Sequence, residues 1–203
     1  VRLPGGDMLN RYFDRGNWPR EEAYREDVKT AAKSGRDKAE VYHELRSGAE
    51  SGWDFSSRWL EDGSTLETIR TTEIIPVDLN CLLYNLEIVL ADAYKLKGEA
   101  NAVSEFAAKA EKRRASIQKY FWDEGAGWYK DYDVESGRRL NQITLAGVFP
   151  LFFKIATQQQ AATVASTLKA SFLKPGGLVT TLNDTGQQWD APNGWAPLQW
   201  ISI

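Results

Sequence analysis

From Leu79 to Ala93, apolar side chains return at every third or fourth position: Leu79, Leu82, Leu83, Leu86, Val89, Leu90 and Ala93. That step is the period of an α-helix with one apolar stripe, and a β-strand does not produce it. Pro76 stands ahead of the run, Asp78 reads as its N-cap, and Gly98 follows its end, where a left-handed residue closes a helix. The spacing predicts a helix over 78–96. A second is predicted over 101–121, with Val103, Phe106, Ala110, Ile117, Tyr120 and Phe121 behind Lys109, Lys112, Arg113 and Arg114. That basic face reads as a solvated surface.

Helical periodicity recurs over 20–32, 37–46, 144–156, 159–172 and from Trp195 onward, while strand alternation is almost missing. The exception is a short hairpin, with 125–133 and 135–140 as its arms and the turn at Ser136-Gly137. Apolar helices (78–96, 144–156, 195 onward) alternate with more polar ones (101–121, 159–172). This alternation predicts an all-α fold, an α/α toroid whose inner helices aim their ends and loops at one central cavity, with the short β-hairpin between helices. No linker divides the chain, so 1–203 is read as part of a single domain. The chain opens in a turn-like Leu3-Pro4-Gly5-Gly6-Asp7 and stops inside an apolar stretch at Ile203, so more chain is expected downstream.

Composition removes whole classes of function. Lys and Arg total 25 against 28 Asp and Glu, a net charge of -3, which gives no electrostatic footprint for nucleic acid or an anionic membrane. The longest apolar run, from Ala146 to Phe153, falls well short of the roughly 18 residues a membrane span needs. One cysteine, Cys81, and one histidine, His43, leave no intrachain disulfide, no Cys/His metal site and no Ser-His-Asp arrangement. No metal or other cofactor is expected, and the chemistry falls to carboxylates.

Trp-Asp occurs three times, at Trp53-Asp54, Trp122-Asp123 and Trp189-Asp190. An indole can stack on the C–H face of a pyranose while a neighbouring carboxylate accepts from its hydroxyls. Trp122-Asp123 follows a helix and precedes a turn, which reads as a packing indole and a turn aspartate. Ser51-Gly-Trp-Asp-Phe-Ser-Ser-Arg-Trp59 has no helical or strand stripe and reads as a pocket wall. A carboxyl between Trp53 and Phe55 would be desolvated into a general acid, whereas a close Arg58 would favour its charged form, so a catalytic and a structural Asp54 both stay open. Gly186 to Trp200 packs three indoles, two prolines and several amides together, which fits a glycan or small polar ligand. Gly176-Gly177 lacks the pattern of a phosphate-binding loop.

The segment Gln188-Trp-Asp-Ala-Pro-Asn-Gly-Trp-Ala-Pro-Leu-Gln199 resembles the second signature of the trehalases of glycoside hydrolase family 37. Ser51 to Trp59, Arg70-Thr-Thr72 with Pro76-Val-Asp-Leu-Asn80, and Pro175-Gly-Gly-Leu178 are similar to trehalase segments in the same order. The resemblance implies an (α/α)6 toroid, incomplete in this chain, that hydrolyses α,α-trehalose to two glucoses with inversion. It implies Asp54 as general acid and matches Arg20-Glu21-Glu22 and Gly52 to substrate-binding positions. Trp53, Gln187, Trp189, Asp190 and Asn193 are taken as further sugar contacts. The segments resembling the first signature and the general base are missing, so the base is expected outside this chain; Glu50 and Asp190 match no family base.

The expected partner is a small disaccharide, trehalose, with no nucleic acid, no membrane and a monomeric state. The similarity to bacterial enzymes points to the periplasm, with the cytoplasm as alternative, and a lone Cys81 fits either. Two other functions stand beside this one: a toroid glucosidase acting on other glucosides, and a non-catalytic sugar-binding fragment. Length separates the fragment reading, and hydrolysis of trehalose against maltose and kojibiose separates the other glucosidase.

Overall fold

Polar caps and glycines set the ends of the first helices. A single 3-10 turn over Glu21–Ala23 leads into α1 (Tyr24–Ser34), which Gly35 closes at φ 68°. Asp37 caps α2 (Lys38–Glu50) by accepting from the Glu40 amide at 3.0 Å. The computed structural model describes every residue from Val1 to Ile203.

The long hairpin predicted from the sequence is present as α3 (Val77–Lys97) and α4 (Ala100–Phe121), turned by Gly98 at φ 77°. The two pack along their length, with Tyr94 stacked on Phe106 and Arg113 paired to Glu87 at 2.8 Å. Asp78 departs from its expected role. Pro76 takes the N-cap position, and Asp78 lies buried inside the first turn with its carboxylate on Arg58. The apolar stripe of α3 is also not wholly internal: Leu82, Leu86 and Val89 are 45%, 49% and 53% exposed, because the helix packs against α4 through another side.

Every strand is two residues long. Ile74–Ile75 forms β1, Trp122–Asp123 β2, Trp128–Tyr129 β3, Tyr132–Asp133 β4 and Arg138–Arg139 β5. The turn at Ser136-Gly137 is where the sequence put it, with Gly137 at φ 65° and its amide donating to Asp133 O. The arms differ from expectation. Only β4 pairs with β5, β1 joins β4 on its other edge, and β3 pairs back to β2. Asp123 accepts from the Ala126 amide and from Lys130 Nζ, the turn role read for it.

The run 144–156 is not one helix. Leu145–Val148 is a 3-10 turn, α5 is only Phe149–Phe152, and Lys154 at φ 58° turns the chain away. Gly147 explains the tight entry, since a Cβ there would stand 2.1 Å from Trp128 Nε1 and 2.6 Å from Tyr129 O. A capping box at Thr157 and Gln160 starts α6 (Gln158–Thr167), and the chain continues through a π-helical turn, Leu168–Phe172. Leu173–Lys174 and Gly177–Leu178 pair as β6 and β7, and α7 (Ala196–Ile201) follows Trp195. One contiguous apolar cluster runs from Leu3 and Leu9 through Trp59, Ile75, Phe121 and Trp128 to Phe172 and Leu198. Two loops lie against it, 51–60 between α2 and α3, and 179–195 ahead of α7.

Candidate active site

The loop after α2 is folded by its own polar groups. Gly52, at φ 74°, makes the turn that a side chain would strain, and Ser51 Oγ accepts from the Trp53 amide at 3.0 Å. Trp59 Nε1 donates back to Trp53 O at 3.1 Å, and Ser56 Oγ accepts from the Arg58 amide at 3.1 Å. Trp53 and Phe55 are thereby buried at 5% and 8% exposure. Asp54, between them, stays partly exposed, and its carboxylate takes no hydrogen bond or ion pair from the chain.

A second carboxylate ties this loop to the other. Asp190, fully buried, accepts from Ser56 Oγ at 2.9 Å, from the Ser57 amide and hydroxyl at 2.8 Å each, from Thr181 Oγ1 at 2.8 Å and from Thr185 Oγ1. Five donors saturate both oxygens, so the sequence expectation that Asp190 touches a sugar does not fit its surroundings. The Trp189 amide donates to Phe55 O at 2.9 Å, and the Trp189 ring stacks on both Trp53 and Trp195, at centroid separations of 5.3 and 4.5 Å. Indoles take up its ring surface, which leaves Trp189 the work of joining the loops. Gln142 Nε2 adds a bond to Ser57 Oγ at 2.9 Å.

Arg58 does not serve Asp54. Its guanidinium, 2% exposed, reaches Asp78 and Asp131 instead and lies over the Trp53 and Trp59 rings. Burial works against its charge, but the two aspartates outweigh this and hold it above the ordinary arginine value. Arg58 is thus committed to Asp78 and Asp131 and makes no ion pair with Asp54.

The N-terminal residues come up beside the same loop. Arg20 is buried, bonds Asp27 through Nε (3.0 Å) and Nη2 (2.7 Å), and lies over the Phe55 ring at 4.8 Å. Arg20 and Glu22, with Asp14, Arg46, Ala49 and Glu50, line an open cavity of about 220 Å³. Glu22 is exposed, whereas Glu21 is drawn aside to Trp18 Nε1 and Arg46. Glu50 accepts from the Phe13 amide at 2.9 Å. Gln187 is half-buried. Asn193 is exposed, with its amide on Gln188 O and its carbonyl accepting from the Thr180 amide. The structure thus brings Gly52, Trp53, Asp54, Trp189 and Arg20 around one loop, with Glu22 in the adjoining cavity, and leaves Glu21 outside.

Sequence reasoning missed Asp131, Gln142, Thr181 and Thr185. Asp131 and Gln142 act across the fold, 73 and 85 residues from the partners they hold, and Thr181 and Thr185 reach Asp190 within one loop at spacings of 9 and 5 that no sequence pattern marks. No group of three or more His, Cys, Asp or Glu side chains comes together as a metal site, and no helix is long and apolar enough to cross a membrane.

A family model described as Trehalase matches residues 1–203. The chain belongs to the trehalase family. It is 50% identical over 204 residues to the periplasmic trehalase of Xanthomonas campestris pv. campestris (strain 8004), covering all of this chain and 36% of that protein. It is 50% identical to the periplasmic trehalase of Pseudomonas aeruginosa, covering 37% of it. The chain therefore spans little more than a third of the length of these trehalases. Neutral trehalase from Saccharomyces cerevisiae matches 99% of the chain with a TM-score of 0.79 at 25% identity, over 42% of that structure. The GH63 mannosylglycerate hydrolase of Thermus thermophilus matches 99% of the chain and 45% of its own with a TM-score of 0.58 at 18% identity, a likeness of fold alone. The helical hairpins and two-residue strands are those of the trehalase α/α toroid.

Proposed function

We propose that the chain is part of a catalytic toroid domain that hydrolyses α,α-trehalose to two glucoses with inversion. The observation that carries this reading is Asp54: a carboxyl group free of internal partners, on a loop held in place by Ser51, Ser56, Trp59 and Trp189. A general acid has to offer its proton to a glycosidic oxygen, so a carboxyl committed to an internal cation would not serve. Trp53 and Phe55, both buried, flank it on either side in the chain.

Arg20 and Glu22 stand at the rim, where a guanidinium and a carboxylate suit the vicinal hydroxyls of a glucose ring. Gly52 adds backbone that a ligand can approach closely, and Gln187 and Asn193 add amides on the facing loop. Trp189 and Asp190 act one layer behind. An inverting hydrolase also needs a second carboxyl group about 6.5 to 9.5 Å from the acid to activate water. No residue of this chain is assigned that role. The names of the 50% identical relatives support a periplasmic setting, and a monomer without cofactor suffices for the reaction.

The test is glucose release by the complete protein from trehalose, maltose and kojibiose, with the product anomers followed by NMR before mutarotation. Release from trehalose of α- and β-glucose in equal amounts fits the proposal, because inversion turns one anomeric carbon while the leaving glucose keeps its own; two α-glucoses would mean retention. Release only from the other disaccharides makes the protein a different glucosidase, and tight trehalose binding without release makes it a sugar-binding protein.

A further inference from the structure

Arg58 makes four hydrogen bonds to two carboxylates: Nε to Asp131 at 2.7 Å, Nη1 to Asp78 at 2.8 Å, and Nη2 to Asp78 at 2.7 Å and to Asp131 at 2.9 Å. Asp78 sits in the first turn of α3, and Asp131 stands just ahead of β4 and also accepts from the Val77 amide at 2.9 Å. The guanidinium lies 4.5 Å from the Trp53 ring and 4.6 Å from the Trp59 ring. One side chain therefore ties the 53–59 loop to two elements distant in sequence.

Stability alone is a poor account of this cluster. Two buried carboxylates against one guanidinium cost desolvation that well-packed apolar side chains would avoid. What the planar fork supplies is direction, since it fixes its partners in one plane and presents its face to an aromatic ring. The residue that follows Trp53 in the chain is Asp54.

We propose that Arg58 is a positioning residue: it clamps Trp53 to α3 and to the segment before β4, and so sets where the Asp54 carboxyl group stands against the substrate oxygen. This rests on the trehalase reading of Asp54 given above. A small displacement of an acid suffices to slow the reaction without removing the binding site.

Arg58→Lys in the complete protein tests it, because lysine keeps the charge and loses the fork. We expect kcat on trehalose to fall roughly ten- to a hundredfold with KM changed less than about threefold. The near-UV circular dichroism of the Trp53, Trp189 and Trp195 stack should change as well. Asp131→Asn, isosteric and with the Asp78 pair intact, should show the same dichroism change and a smaller loss of kcat, and it decides the matter if the lysine variant is not recovered folded. A folded variant with wild-type kcat overturns the inference, as does a loss confined to KM. Should the wild type release no glucose from trehalose, the hydrolase reading fails separately, and unchanged dichroism in Asp131→Asn still overturns the clamp.

Discussion

Ser57 holds Asp190 twice, through its backbone amide and through its hydroxyl, each at 2.8 Å. The two residues are 133 positions apart, and three further hydroxyls converge on the same carboxylate. Asp190→Asn replaces one acceptor oxygen with a donor that faces donors. Hydrogen bonds to charged groups contribute about 1.5 to 3 kcal/mol, so we expect the variant to lose roughly that much or more in urea denaturation. Unaltered stability would mean that Asp190 has a ligand role instead.

Asp54→Asn is the opposite case. With no internal partner to lose, the substitution should leave stability within about 0.5 kcal/mol of wild type. Turnover of trehalose should fall by about 10² to 10⁴, because an amide keeps the shape and has no acidic proton to give, while trehalose still binds. Turnover near the wild-type value removes Asp54 from the mechanism.

Trp189→Ala should act first on the fold. Loss of a large stacked aromatic typically costs about 3 to 5 kcal/mol, and Trp189 is held by Trp53 and Trp195. Thermal unfolding and trehalose KM measured together decide the matter. A large rise in KM at unchanged stability would restore the sugar-wall role that the sequence suggested.

Glu44 gives a pH dependence of defined sign. Burial raises its carboxyl pKa, and the Thr72 hydroxyl and amide, donating to it, only partly offset that. The folded chain then holds the proton more tightly than the unfolded chain, so Glu44's contribution is complete below pH 4.5, the ordinary glutamate value, and is lost as pH rises through the raised one. Glu44→Gln should flatten that part of the stability profile in denaturation series across mildly acidic pH. Parallel profiles for the two proteins would show that another group carries the dependence.

The hairpin of α3 and α4 was legible because its information is local: a three-and-four step, a glycine at the turn and a polar outer face. The Ser136-Gly137 turn was legible for the same reason, but its strands were not, since two residues cannot show alternation. The apolar run 144–156 looked like one helix because periodicity does not register that Gly147 must approach Trp128. In the site, the Trp-Asp pairs drew attention to the right loops and concealed their differences. Asp54, Asp123 and Asp190 share a preceding indole, yet one is unpartnered, one caps a turn and one is saturated by five donors. Asp123 is separable locally, by the turn that follows it, but only contacts across the chain distinguish Asp54 from Asp190. Asp78 failed for a related reason, since a capping aspartate and a buried counter-ion occupy the same place at the head of a helix.

The saturation of Asp190 also bears on how members of this family can be redesigned. Grafting the 179–195 loop alone onto another scaffold would carry over a carboxylate stripped of its Ser56 and Ser57 donors, and grafting 51–60 alone would carry over the donors without their acceptor. Neither loop is a portable module. Libraries aimed at changing the accepted sugar should exchange the two together, or hold Ser56, Ser57, Thr181, Thr185 and Asp190 constant and vary the exposed positions between them.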